Sequence, residues 1–316
     1  MRAMTLKKKV VLLVLAAATG FAATALGQSK VGTAGEQFLK MGVSARAMGM
    51  GEAFVAVAND ASALFYNPAG LARLSRRELL ATHTQYPAGI NHEFVGIAYP
   101  VSKTGGTWGI SFIALTMDDM KRTIPLAPGD HWDGTYFTAS TYAGGITYSR
   151  SLTHKFSTGV TLKLIRDALD DKRAMGIGGD VGTLYDLGFK KVQVGMAITN
   201  FGPDMKFIKE SFPLPMNFKV GLSMVPYETK LHRVTVDLEG SHPNDNEERV
   251  ILGAEYAFRD LFFLRAGRKI KYDTERWSLG AGAALPTRWV RAELNYSYTD
   301  WGWLTQMHRG TLRLVF

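Results

Sequence analysis

The sequence contains no cysteine, and its one long run of apolar residues lies at the amino terminus. The absence of cysteine excludes thiol catalysis, disulfide frameworks and cysteine-ligated zinc or iron–sulfur centres. A helical membrane protein needs apolar runs of about 20 residues for its spans. With 21% charged residues and 33 glycines among 316, this chain lacks the composition of such a protein.

The amino-terminal run has the layout of a secretory signal peptide. Arg2 and three lysines at 7–9 precede the apolar residues 10–18, and small residues follow at 23, 25 and 27. Residues 1–27 are therefore predicted to be a cleaved signal for export through the Sec pathway. An anchoring helix is the alternative, but Gly20 and Thr24 interrupt the run. Removing the four basic residues of this leader lowers the formal net charge from +9 to +5, so nucleic acid is not expected as a partner.

From Glu78 onward, apolar and polar residues alternate in short segments. One face of residues 290–299 is apolar or aromatic and carries Val290, Ala292, Leu294, Tyr296 and Tyr298. Such a period of two predicts strands with one apolar and one polar face. Fourteen of these segments begin near Glu78, His92, Trp108, Phe137, Phe156, Met175, Lys191, Pro215, His232, Glu248, Leu261, Trp277, Val290 and His308.

The connections between these segments alternate in length. Long or polar connections fall at 117–134, 166–173, 200–214, 240–246, 268–276 and 299–307, and short ones lie between them; the first loop, 87–91, is unusually short. Short turns at one end and long loops at the other are typical of outer-membrane barrels. The sequence predicts an all-β fold, a 14-stranded antiparallel transmembrane β-barrel over residues 78–316 in the outer membrane of a Gram-negative-type bacterium. A soluble β-sandwich is the alternative.

The last segment supports the barrel. One face of residues 308–316 carries Gly310, Leu312, Leu314 and Phe316. A terminal phenylalanine on such a stripe resembles the recognition signal of the outer-membrane barrel assembly machinery. Aromatic residues near presumed strand ends predict a girdle at the lipid interface: Trp289, Tyr296, Tyr298, Trp301 and Trp303. The expected partners are therefore outer-membrane lipid and that assembly machinery.

Residues 28–77 carry a resemblance to a known family. The blocks are Ala45–Gly51, Ala53–Ala58, Asn59–Ala61 and Asn67–Leu71, in this order and spacing. They resemble the opening of the PorV/PorQ family, a branch of the FadL-like outer-membrane barrels. The resemblance implies that residues 28–77 form a short helical hatch that plugs the lumen. Its motif residues are Arg46, Gly49, Gly51, Asn59, Asp60, Asn67, Pro68, Ala69 and Gly70.

The residue types suit a hatch. Asn67 is a good N-cap and Pro68 a good first helical residue, and Asp60 offers the same capping to the residues that follow it. Gly49 and Gly51 permit close backbone approach or positive φ. Charged residues on the inner strand faces are expected to serve as partners for the hatch: Lys163, Arg265, Glu293, Arg309 and Arg313.

The sequence gives little support for catalysis. The seven histidines show no pairing at metal-ligand spacing, and no G-x-S-x-G motif is present. We therefore expect neither catalytic residues nor a metal or cofactor, and an enzyme is the least favoured of three function classes.

Two other classes remain open. The PorV/PorQ resemblance implies a component of type IX secretion that engages the secretion translocon and exported cargo proteins. A FadL-like channel for hydrophobic small molecules, such as long-chain fatty acids or aromatics, is the alternative. An apolar set rimmed by charge in the loop 201–214 suits docking of cargo or capture of ligand: Phe201, Met205, Phe207, Ile208 and Phe212. Packing of these residues across the barrel mouth is equally compatible with the sequence.

Overall fold

A computed structural model describes residues 31–101, 105–123, 132–272, 274–302 and 306–316. Within these residues, fourteen strands form one closed barrel, and consecutive barrel strands pair antiparallel. The first strand, β1 (Glu78–Tyr86), pairs with both β2 (Ile90–Val101) and the last strand, β18 (Gln306–Val315), which closes the ring. Every barrel strand therefore has two neighbours to satisfy its backbone groups, as hydrocarbon surroundings require.

The strands are numbered in chain order. Between β2 and β18 the barrel contains β3 (Gly106–Met117), β6 (Ala139–Ser151), β7 (Phe156–Leu169), β8 (Lys172–Asp186), β9 (Gln193–Phe201), β12 (Asn217–Glu228), β13 (His232–Pro243), β14 (Arg249–Phe258), β15 (Phe262–Ile270), β16 (Trp277–Pro286) and β17 (Arg291–Asp300). The remaining strands form two hairpins, β4 (Met120–Thr123) with β5 (Trp132–Phe137) and β10 (Met205–Phe207) with β11 (Glu210–Phe212).

The predicted 14-stranded antiparallel barrel is confirmed, and each predicted strand start lies within three residues of the observed one. Connections at one end, called here the turn end, include 152–155, 229–231 and 259–261; connections at the other, called the loop end, include 118–138 and 202–216. One expected loop is wrong. In place of a long connection at 166–173, β7 and β8 continue past one another and only residues 170–171 join them.

The two faces of the wall differ as the period of two predicts. Apolar side chains on the outer face are exposed, among them Ile110, Leu162, Leu264 and Leu294. In the last strand Gly310, Leu312 and Phe316 are exposed and Leu314 is half-buried, so this stripe lies on the outer face. Tyr296 and Trp289 are exposed, whereas Trp301 contacts the buried Tyr86 inside the mouth and is not part of an outer girdle. The predicted signal peptide and Trp303 lie outside the described residues.

The segment before β1 fills the lumen, as predicted for a hatch. It contains two α-helices, Ala45–Gly49 and Ala63–Tyr66, and two 3-10 helices, Gln37–Lys40 and Pro68–Arg73; a further 3-10 turn, Pro87–Gly89, follows β1. Within 42–71 every residue is buried except Glu52 and Asn59. No helix in the described part of the chain is long and apolar enough to span a membrane.

Candidate functional site

The hatch contacts the inner face of the wall at glycine residues. A Cβ atom at Gly267 would lie 2.0 Å from the Gly51 amide nitrogen, and one at Gly195 would lie 2.3 Å from the Val55 carbonyl oxygen. At Gly182 it would lie 2.0 Å from Asn67 Oδ1. The hatch backbone thus touches the wall where the wall has no side chain. Any larger residue at these positions would displace the hatch.

The predicted turn chemistry of the hatch is present. The Asn67 side chain accepts a 3.1 Å hydrogen bond from the Ala69 amide and caps the 3-10 helix that begins at Pro68. Asp60 Oδ1 accepts a 2.9 Å hydrogen bond from the Ser62 amide, so it caps the turn before the helix Ala63–Tyr66. Gly51 has a φ of +71°. The Asn67 amide group also donates to the Val55 and Thr183 carbonyl oxygens, which ties the capped turn to β8.

Arg46 is the main charged contact between hatch and wall. Its guanidinium donates two hydrogen bonds, of 2.9 and 3.0 Å, to the Glu255 carboxylate on β14. It also donates to Asp60 at 2.7 Å and to Asn59 at 2.6 Å within the hatch. Glu255 is 2% exposed. A buried carboxylate of this kind depends on its cationic partners.

Two further wall carboxylates bind backbone amides of the hatch. Glu239 Oε2 accepts 2.9 Å hydrogen bonds from the amides of Phe54 and Val55. Glu78 Oε2 accepts one, also of 2.9 Å, from the Ala61 amide. These hydrogen bonds satisfy amides in the irregular parts of the hatch, where no helical partner is available.

The loop end of the hatch is held by two ion-pair groups. Lys40 Nζ lies 2.7 Å from Asp245 in the loop after β13, and Gln37 donates to the same carboxylate. Lys269 on β15 lies 2.6 Å from Glu52 of the hatch and also pairs with Glu275. The hatch is therefore bound to the wall at its middle and at its loop end.

The predicted lumen-facing residues do point inward. Lys163, Arg265, Glu293 and Arg309 are buried, and the Arg313 side chain is 17% exposed. Their hydrogen bonds among the described residues go to the wall rather than to the hatch, which differs from the expectation. Their partners are Asn200 for Lys163, Glu255 and Asn295 for Arg265, Thr84 and Tyr86 for Arg309, Glu78 and Glu293 for Arg313, and Asn295 for Glu293.

The wall residues that do hold the hatch were missed by sequence reasoning. They are Glu78, Glu239, Asp245, Glu255 and Lys269. A signal was present for Glu255, since it is the only carboxylate in strand β14, and the other charged residue of this strand, Arg249, lies at its loop end. A carboxylate on an inner strand face requires a partner in the lumen, and the hatch is the element that fills the lumen.

A cavity of about 440 Å³ lies between the hatch and the loop end of the barrel. Its floor includes the hatch residues Met41, Met48 and Glu52. Its walls combine aromatic and polar side chains from the strand ends and loops, among them Tyr86, Asn217, Lys219, Asp245, Arg249, Tyr272, Glu275 and Trp301. This volume is within the range of small-molecule sites. The cavity is the candidate binding site.

The apolar loop predicted to dock cargo or ligand folds back on the barrel. Met205 is 1% exposed and lies against Gly176 of β8, and Phe212 packs against Gly35 of the hatch segment. Phe207 packs against the same core, whereas Phe201 and Ile208 remain exposed. Packing across the mouth therefore accounts for three of these five residues.

Charges at the loop end are perturbed by burial. Burial, reinforced by the Asp167 carboxylate, raises the pKa of Glu36 to about 7. Burial also opposes ionisation of Asp245, but the hydrogen bonds from Lys40 and Gln37 outweigh it and lower the Asp245 pKa overall. The two carboxyl groups therefore titrate in different pH ranges.

A family model described as "Uncharacterised protein family (UPF0164)" matches residues 13–165. This range includes the hatch and the strands β1 to β3 and β6, with most of β7. No curated protein matches the chain.

Solved structures of a hydrocarbon channel and of transporters share the fold. The Ralstonia pickettii toluene transporter TbuX has a TM-score of 0.60 and 14% identity, covering 87% of this chain and 97% of that one. The CymD monoaromatic hydrocarbon channel has a TM-score of 0.57 and 14% identity, covering 87% and 96%. A Pseudomonas aeruginosa FadL homologue has a TM-score of 0.55 and 10% identity, covering 87% and 98%. Similarity at these identities establishes a FadL-like barrel fold.

Proposed function

We propose that this protein is a hatch-gated channel of the outer membrane that passes hydrophobic small molecules. The observation that carries the proposal is the chain-long similarity of a hatch-plugged, 14-stranded barrel to a toluene transporter and a monoaromatic hydrocarbon channel. The cavity next to the hatch adds support, because a molecule that enters from the loop end meets it before reaching the plug.

The proposed location follows from the outer surface. Exposed apolar side chains around the barrel suit contact with acyl chains, because hydrocarbon admits closed barrels whose backbone groups are all paired. Residues 1–27 would direct export through the Sec pathway. The outward stripe that ends at Phe316 would then be recognised by the barrel assembly machinery.

Transport can be tested in liposomes. Purified protein reconstituted into vesicles is expected to speed the entry of toluene relative to empty vesicles, with a polar solute of similar size as the control. A Gly267→Leu variant should change this rate, because the added side chain would collide with Gly51 of the hatch. Equal toluene entry with and without the protein would refute the channel function.

A second function is favoured by the hatch sequence. The ordered blocks within 45–71 resemble the PorV/PorQ family, and this resemblance supports a role in type IX secretion with a translocon and exported cargo as partners. The exposed side chains of Phe201 and Ile208 are among the apolar groups that the loop end offers to such cargo. Deletion of the gene should then leave exported proteins in the periplasm while toluene uptake is unchanged. The opposite result supports the channel.

A further inference from the structure

Two residues that line the cavity each carry a buried hydrogen-bond donor without a partner. Among the described residues that line it, the buried side-chain atoms that lack a hydrogen-bond partner are Arg249 Nε and Trp301 Nε1. Buried polar atoms in native proteins are nearly always hydrogen-bonded. Both of these groups are donors only. The polar side of this lining is therefore better suited to a ligand with acceptor atoms than to one with donors.

The charges around the cavity are unevenly paired. Its carboxylates have cationic partners: Lys40 for Asp245, and Lys269 for both Glu52 and Glu275. Arg249, in contrast, has no carboxylate within 4.0 Å in the described part of the chain.

The recorded partner of Arg249 is Tyr272, whose ring centroid lies 4.4 Å from the guanidinium carbon and whose side chain is also hydrogen-bonded to Arg249. Lys219, also in the lining, lies 3.8 Å from Glu239 Oε1, and the other oxygen of that carboxylate is occupied by hatch amides. The cavity thus offers the cationic groups of Arg249 and Lys219 to a ligand. Such groups favour the binding of an anionic ligand.

The rest of the lining suits an apolar body. The rings of Tyr86 and Trp301 lie 5.4 Å apart between centroids, and Met41, Met48 and Ile251 add aliphatic surface. Aromatic ligands stack favourably on such rings. A purely apolar hydrocarbon would cover this surface but would leave the Arg249 guanidinium without an anionic partner.

We propose that the cavity binds small organic anions, namely an aromatic body with a carboxylate that pairs with the guanidinium of Arg249. The inference rests on the proposed channel function and narrows its substrate class from neutral hydrocarbons to aromatic acids. Arg249 supplies the charge that selects the carboxylate, and the ring pair of Tyr86 and Trp301 contacts the body of the ligand.

The test compares benzoate with nitrobenzene, which has nearly the same shape and no net charge. Calorimetric titration of the full-length protein in detergent is expected to give at least about tenfold tighter binding of benzoate, the size of one charge-assisted hydrogen bond. Inorganic phosphate tests the apolar wall and should bind more weakly than benzoate. Equal affinities for benzoate and nitrobenzene would overturn the proposal, as would phosphate binding as tight as that of benzoate.

Substitutions assign the effect to the cavity. Arg249→Gln should reduce benzoate affinity about tenfold or more and leave nitrobenzene affinity within about twofold. The matched control is Arg268→Gln, because Arg268 is exposed at the same end of the barrel and does not line the cavity. Thermal unfolding by circular dichroism checks that each variant is folded. If Arg249→Gln does not fold, Lys219→Gln is expected to weaken benzoate binding in the same direction. Unchanged benzoate affinity in a folded variant of Arg249 would refute the assignment.

The experiments distinguish an error in this inference from an error in the proposed channel function. If vesicles containing the protein take up toluene but benzoate binds no better than nitrobenzene, the channel stands and the anion preference is wrong. If benzoate binds through Arg249 but no solute crosses vesicles, the cavity assignment stands and the transport function is wrong.

Discussion

Leu162 and Lys163 are consecutive residues of β7, and they show how differently the two sides of the wall are built. Leu162 is 59% exposed on the outer face, whereas Lys163 is 4% exposed on the inner face. Lys163 Nζ lies 2.8 Å from Asp180 and donates to Asn200 at 2.7 Å. The outer residue needs only to be apolar, since lipid is a uniform solvent. The inner residue needs a specific partner at a specific place.

The largest expected effect is on the inner side, at Arg46. Arg46→Met would leave Glu255 and Asp60 without this cation in a buried position, and removing one partner of a buried pair costs about 3–5 kcal/mol. The hatch should loosen while the barrel stays closed. Hydrogen exchange should then increase at the amides of 44–60, and single-channel recording should show larger conductance.

A compensating variant tests the physical cause. Arg46→Met combined with Glu255→Gln removes the carboxylate that has lost one of its two cationic partners, while Arg265 keeps its contacts with Asn295 and Glu293. This double variant should recover part of the exchange protection of the hatch. If Arg46→Met leaves both exchange and conductance unchanged, then the ion pair does not hold the hatch.

The outer side should respond to polarity alone. Leu162→Lys would place a charge near the middle of β7 facing lipid, which costs about 2–4 kcal/mol at the bilayer midplane. Denaturant unfolding in lipid vesicles measures this loss, and Leu162→Met serves as the apolar control. Equal stability of the lysine and methionine variants would show that this position does not contact hydrocarbon.

This contrast explains how much of the fold was predictable. Alternation of apolar and polar residues is a local property, so the positions of the fourteen strands and the outward stripe that ends at Phe316 could be predicted from the sequence. The two residues that join β7 to β8 could not, because strands may continue beyond the membrane wherever their registers match.

The partners of the hatch were harder to predict. Arg46 and Glu255 are 209 positions apart in the chain, and their contact depends on how the closed barrel arranges its strands around the lumen. Capping by Asn67 was predictable because the side chain and the amide it accepts from are two residues apart. The cavity was not predictable, since its lining comes from the hatch segment and five other parts of the chain that meet only after the barrel closes.

A smaller effect is expected where local and long-range contacts meet. Asn67→Ala removes the cap of the helix Pro68–Arg73, a loss of about 0.5–2 kcal/mol. We expect the upper part of this range, because Asn67 is fully buried and also donates to Val55 and Thr183. Hydrogen exchange at the Ala69 amide and leakage of a small solute from vesicles should both rise. Faster exchange without leakage would mean that this helix does not contribute to the seal.

The smallest effect concerns the pH dependence of the loop end. Because the pKa of Glu36 is raised from 4.5 to about 7, the protonated carboxyl is favoured in the folded segment. The folded state then binds more protons than the unfolded state between these values, so the stability of this contact falls as the pH rises from about 4.5 to 7. The lowered pKa of Asp245 acts in the acid range below 3.8, where stability falls as the pH falls.

The Gly35 amide, which donates to the Pro213 carbonyl oxygen at 3.1 Å, reports on this segment. Its hydrogen exchange, corrected for the intrinsic rate, should lose protection between pH 5 and 7 in the native protein (roughly the window set by the two pKa values). In Glu36→Gln the protection should stay constant over the same range, because glutamine does not ionise. Asp167→Asn should narrow the window, since the Asp167 carboxylate contributes to the raised pKa after burial. An unchanged pH profile in Glu36→Gln would assign the titration to another group. The buried charges of the inner side would then affect the mouth of the barrel through a residue other than Glu36.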